Sequence, residues 1–227
     1  MTHPQNVEIW KACPGLIRAV KRTHEHFCAK LGVQMFYCHD FDHVVRVANL
    51  AQRFAPDENT REGLLAAVAA LCHNADRIIQ IDEGVGPFEK VSNGKVESMV
   101  LAWVCAQRPV PFSGTETETI LDAIHRHSEP NKDDDSLVLK ILKDADRVVN
   151  VGADCLIRKG QYFGDDLRVV DPIHLLHDPK AKFPRPGSIL KSVWFDARDF
   201  AAESGPAALR MPKAREFAKR RIDLWET

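Results

Sequence analysis

Residues 64–72 read Leu-Leu-Ala-Ala-Val-Ala-Ala-Leu-Cys, a stretch without one charged or hydrogen-bonding side chain. A helix that is apolar on nearly all sides cannot sit on a surface, so this segment is expected to be central and buried under other elements. The flanking sequence supplies those elements as amphipathic helices. From Pro14 to about Leu31, apolar residues fall at Leu16, Ile17, Val20, Phe27 and Leu31, with Pro14 suited to a first turn and Gly32 to a stop. A second helix is expected from about Asp40 to Phe54, with Val44, Val47, Ala48, Leu50 and Ala51 inward. Asp57-Glu58-Asn59-Thr60 then supplies turn and cap chemistry.

Gly84, Gly86, Pro87 and Asn93-Gly94 mark residues 81–95 as a loop or lid, followed by a helix over Lys95–Ala106. Thr115-Glu116-Thr117-Glu118 reads as a capping box opening a helix to about His127. The acidic run Asp133-Asp134-Asp135 precedes a helix carrying Leu137, Val138, Ile141, Leu142, Ala145 and Val148, where negative charge complements the helix dipole. Residues 160–192, rich in proline, read as a long irregular segment, and Pro212 as the start of a last helix ending near Trp225. No period-two alternation persists and no repeat is present. The expected fold is therefore all-α, in one domain over 1–227, with a core at roughly 15–160 and a C-terminal loop and helices at 160–227.

The balance of 31 Lys+Arg against 32 Asp+Glu gives a net charge of −1 and no bulk reason to bind nucleic acid or an anionic membrane. The basic stretch Lys213, Arg215, Lys219, Arg220, Arg221 is read as a solvated face. There is no run of 18 apolar residues and no signal-peptide pattern, so no membrane span and a cytoplasmic location are expected. The six cysteines, at 13, 28, 38, 72, 105 and 155, lack CxxC spacing and read as reduced, mostly buried thiols.

Three places concentrate groups that could do chemistry: His39-Asp40-Phe41-Asp42-His43, His73-Asn74-Ala75-Asp76-Arg77 and Asp144-Ala145-Asp146-Arg147. Each lies at or near the end of an expected helix, a position from which polar side chains can converge while the apolar face packs. His39 and His43, four apart, share a helix face and could bind zinc, although such a pair is more often structural. Singly, each cluster says little.

In order and spacing they carry more. A His before an apolar helix (His43-Val-Val-Arg46-Val47), an apolar helix ending in His73-Asn74 and an Asp in Ala145-Asp146-Arg147 resemble the HD-domain superfamily of metal-dependent phosphohydrolases. The His39-Asp-Phe-Asp-His43-Val-Val-Arg-Val opening, Ile124-His125-Arg126-His127-Ser128 and the Pro212-Lys-Ala-Arg-Glu-Phe-Ala-Lys-Arg tail are similar to a bacterial branch of it, over roughly residues 15–225. The resemblance implies an HD-type helical bundle and a divalent ion (Mn, Fe, Ni, Mg or Zn) held by His43, His73, Asn74 and Asp146. Asn74, Asp146 and Arg147 are the expected catalytic residues; Arg46, Arg77 and Lys143, as cations able to grip phosphate, and His127 are the expected substrate-binding residues. The substrate would be a nucleotide or other small phosphorylated metabolite, and the protein a monomer or homodimer.

This sequence departs from the family at one place. The family's His-Asp doublet is His73-Asn74 here, so the donor set carries −1 where two His and two Asp carry −2. An amide oxygen can ligate but brings no charge. Weaker metal affinity is expected, and the rival reading is a lapsed HD domain that binds a ligand or protein partner.

Overall fold

The computed structural model describes residues 8–32, 39–57, 60–86, 89–108, 112–163 and 189–222. Among these the chain is helical, without a strand, as expected. The order is α1 (Glu8–Ala12), α2 (Pro14–Leu31), α3 (Phe41–Phe54), α4 (Arg61–Cys72), α5 (Ala75–Glu83) and α6 (Asn93–Cys105). There follow α7 (Gly114–Arg126), α8 (Leu137–Val148), α9 (Ala153–Phe163), α10 (Ile189–Ala201) and α11 (Pro212–Ile222).

Helix α4 is the axis. Every residue from Gly63 to Cys72 is buried, and α3, α7 and α8 pack around it. Its alanines let neighbouring backbones approach, while Leu64, Leu65, Val68 and Leu71 supply the bulk. The helix ends follow local chemistry. Thr60 caps α4 by accepting from Gly63 N–H, Asp40 caps α3 by accepting from His43 N–H, and Gly32 ends α2 at φ 68°, where a side chain would be strained. Among the described residues one core cluster draws on segments as far apart as Ile9 and Ile222. The stretch Arg61–Glu83, divided between α4 and α5, is long and apolar enough by length and composition to span a bilayer. However, 83% of its most apolar window is buried in this fold, as befits a core element.

Several boundaries differ from the sequence reading. Helix α5 was not expected at all, and it and the start of α6 take both ends of the 81–95 loop. The capping box is Ser113 with Glu116, two residues earlier than read, because Ser113 accepts from Glu116 N–H while the Glu116 carboxylate accepts from Ser113 N–H. Helices α9 and α10 occupy the two ends of the 160–192 segment, whose remainder lies outside the described residues, as does Trp225. Apolar residues such as Ile189, Val193 and Ala197 recur at helical spacing there and bury one side of α10.

One close approach makes a test. Gly15 N–H donates to the Gln107 side chain at 2.7 Å, and a Cβ on Gly15 would meet the Ala106 carbonyl oxygen at 2.6 Å. The start of α2 is thereby pressed against the end of α6. Gly15→Ala is expected to lower the unfolding free energy by about 1–3 kcal/mol through overpacking. An unchanged urea midpoint would show that the two helices can separate freely.

Candidate metal centre

His43 stands in the first turn of α3, His73 caps the C-terminal end of α4, and Asp146 lies in the last turns of α8. The mutual packing of α3, α4 and α8 brings the three side chains to one point. His43 Nε2 lies 3.2 Å from His73 Nε2 and 3.3 Å from Asp146 Oδ1, and His73 Nε2 lies 3.6 Å from the same oxygen. An ion about 2.1 Å from each donor sets the donors roughly 3.0–3.4 Å apart at octahedral or tetrahedral angles. Two of the three separations lie in that range and the third exceeds it by 0.2 Å, so a small closing movement of His73 and Asp146 would let the trio fit a first-row divalent ion. Both imidazoles are fully enclosed, while the Asp146 side chain keeps 26% exposure, so one side opens outward.

The electrostatics suit a cation. Burial works against the Asp146 carboxylate, yet hydrogen bonds and charge from His43 and His73 hold its pKa well below the ordinary value. Burial drives His43 down to about 4, beyond what Asp146 restores. Burial also opposes the charged form of His73, but the Asp146 hydrogen bond and charge outweigh it and raise that group. His73 Nδ1–H donates to the Ala70 carbonyl at 2.6 Å, which leaves the Nε2 lone pair facing the centre.

Asn74 is buried beside this cluster at the N-terminus of α5, with its Nδ2 donating to the His39 carbonyl at 3.4 Å. His127 presents its ring edge-on to His73, centroids 5.2 Å apart, with Nδ1–H donating to the Ile124 carbonyl. Burial, then the charge of His73, lowers its pKa. His73 and His127 also line a cavity of ≈ 520 Å³ with Arg77, Lys90, His125 and Arg126. Asp76, Glu89 and Glu129 line it too, so the three cations of its wall meet three carboxylates. Arg126 in addition pairs with Asp122, Asp134 and Asp135. The cavity wall alone thus has little excess positive charge for a phosphate.

The other residues singled out from sequence are placed differently. Arg46 is exposed on α3. Lys143 is buried and donates to Asp135 at 2.8 Å and to the Pro130 carbonyl at 3.0 Å, which makes it a structural cation. Arg147 donates to Asn131 Oδ1 at 2.7 Å and to the Pro206 and Ala208 carbonyls, tying α8 to the segment before α11. Both placements have one cause: on α8, Lys143, Arg147 and Asp144 form a stripe about 60–160° round from Asp146, against residues 130–135 and 205–211. Asp144 accepts there from Arg210 N–H and Met211 N–H, both at 2.6 Å. Of the basic C-terminal stretch, Lys213 donates to the Ala55 carbonyl and Arg215 to the Leu209 and Glu203 carbonyls. Sequence reasoning missed Arg158 of α9, whose Nη2 lies 2.9 Å from His43 Nδ1. No local signal distinguishes it from Lys159, the next charged residue of the same helix. The described cysteines are free thiols, with Cys13, Cys72 and Cys155 buried and Cys105 exposed; Cys38 lies outside the described residues.

An all-helical bundle with two histidines and an aspartate converging from separate helices defines a class of metal-binding helical proteins. Residues 40–151 match the family model of the HD domain, and this part of the chain is an HD domain. HD domains bind divalent metal ions, and the match spans all three converging side chains. No curated protein matches the chain. A crystal structure of a protein from Lactobacillus plantarum is similar in fold, with a TM-score of 0.60 and 21% identity over 93% of this chain and 92% of that one.

Proposed function

We propose that this protein is a metal-dependent phosphohydrolase acting on a nucleotide or other small phosphorylated metabolite. The observation that carries the reading is the His43–His73–Asp146 cluster opening beside a cavity of ≈ 520 Å³ that shares His73 with it. His43, His73 and Asp146 would hold the ion, which supplies a hydroxide nucleophile near neutral pH and polarises the phosphoryl oxygens. The cavity's charges nearly cancel, so the substrate's negative charge would be met chiefly at the metal end. Arg77 and Lys90 orient the remainder of the substrate, Arg77 being steadied by Gln80 at 3.1 Å. His127, with its Nδ1 proton committed to Ile124, keeps Nε2 available as an acceptor beside the cluster.

A lapsed HD domain is the second reading, and Asn74 favours it. The amide contributes no charge, and its nitrogen is engaged by the His39 carbonyl. Asn74→Asp separates the two. An aspartate cannot donate to that carbonyl, so the metal-free variant is expected to be slightly less stable, while Mn²⁺ affinity rises about tenfold. The checks are calorimetric Mn²⁺ titration and hydrolysis across a nucleotide panel. Wild-type turnover equal to that of the variant would make Asn74 a working ligand and end the lapsed reading. No Mn²⁺ uptake and no hydrolysis by either protein would end the enzymatic one.

A further inference from the structure

We propose that Arg158 is a gate on the metal site: its guanidinium holds His43 in a tautomer that cannot ligate, and must leave before an ion can bind. The inference rests on the metal-binding reading above. A guanidinium has five donors and no acceptor, and it stays charged in proteins. With Arg158 Nη2 2.9 Å from His43 Nδ1, that nitrogen has to accept. A neutral imidazole has one donor and one acceptor, so the proton of His43 resides on Nε2. There it points toward Asp146 Oδ1 at 3.3 Å and His73 Nε2 at 3.2 Å, the two groups with which it would share an ion.

The two histidines are therefore in opposite states. His73 gives its Nδ1 proton to the Ala70 carbonyl and presents a lone pair inward. His43 presents a proton inward. For His43 to ligate through Nε2, its remaining proton must move to Nδ1, where it would face an N–H of Arg158, donor against donor. Metal-ligating histidines ordinarily give that second proton to a carboxylate, a carbonyl or a water. Arg158 offers none of these, and its charge also opposes a cation on the far side of the ring.

The guanidinium has somewhere to go. Its Nη1 donates to the Val149 carbonyl at 3.1 Å, which anchors one end, and its charge already acts on the carboxylate of Asp40, the cap of α3. Asp40 is the carboxylate toward which the guanidinium would turn on leaving His43 Nδ1. Because Arg158 belongs to α9, and α9 packs against α10, ion loading becomes linked to the C-terminal helices.

Two measurements test the gate on the full chain. In the first, Mn²⁺ is titrated calorimetrically into wild type, Arg158→Gln and Arg158→Lys. The glutamine can accept the Nδ1 proton, so Arg158→Gln is expected to bind roughly tenfold tighter. The lysine is donor-only and should stay near wild type. Equal affinity of wild type and Arg158→Gln overturns the gate alone; no uptake by either overturns both the gate and the metal reading. The second measurement uses the wild type only and so survives misfolding of a variant. Nitrogen-15 NMR of labelled histidines should find His43 protonated at Nε2 without metal and at Nδ1 with Zn²⁺. A Nδ1 proton on His43 before metal is added would sink the proposal.

Discussion

Asp146→Asn is expected to abolish stable divalent-ion binding, with Mn²⁺ affinity falling by more than about 100-fold. Asp146 is the only carboxylate in the His43–His73–Asp146 cluster, so the substitution takes the formal charge of the donors from −1 to zero. Its Oδ1 lies within 3.6 Å of both imidazoles, so it also organises them. Stability of the metal-free protein should change far less, because an amide oxygen can still accept from His43. Thermal unfolding with and without Mn²⁺ makes the check. The wild type should gain stability from the ion by mass action, and the variant should gain none. A variant whose unfolding temperature rises with Mn²⁺ as much as the wild type's would place the ion elsewhere in the molecule.

The second large effect is on stability and lies away from the metal. Asp135 has no exposed side-chain surface and meets three cations: Lys143 at 2.8 Å, Arg210 at 2.9 Å and Arg126 at 2.9 Å, with Lys132 N–H as a fourth contact at 3.2 Å. Asp135→Asn leaves Lys143 fully buried with no carboxylate. Removing one partner of a buried ion pair costs about 3–5 kcal/mol, a large part of the stability of an ordinary domain. The loss should appear in urea unfolding at pH 7. A loss under about 1 kcal/mol would mean that the cations relax to water. The same group fixes a pH dependence. Burial pushes its carboxyl up, but the bonds from Lys143, Lys132 N–H and Arg210 prevail and hold it at about 2, below the ordinary 3.8. The folded pKa is depressed, so this contribution is complete above pH 4 and lost as pH falls toward 2. Asp135→Asn should flatten that part of the acid-unfolding curve.

How far the sequence could be read depended on how local each signal was. Pro14 and Gly32 bracket α2 as expected because both act through their own backbone angles. The acidic run was expected to serve the start of α8, but no acid falls in that helix's first turn, and Ser136 caps it. That Asp135 alone turns inward could not be read, because its partners come from α7, α8 and the segment before α11. Helix α5 was not legible because its short apolar face, Ile78 and Ile79, is set in polar neighbours.

Taken alone, the sequence determined the helical class, the burial of α4 and, among the four positions it singled out for a metal, the three side chains that converge, His43, His73 and Asp146. Apolar periodicity and residue order along the chain are local properties, and they survive without knowledge of packing. Tertiary structure alone decided which charges serve the site. Lys143 and Arg147 are near neighbours of Asp146 on one helix, yet at 100° per residue they stand about 60° and 100° round from it, enough for Lys143 to meet Asp135 and Arg147 to meet Asn131 instead of the site. Arg158, 115 residues from His43 in the chain, arrives within 2.9 Å of it only through the tertiary fold. A charged side chain's role is set by what long-range packing places within a few ångströms of it, and no periodicity records that.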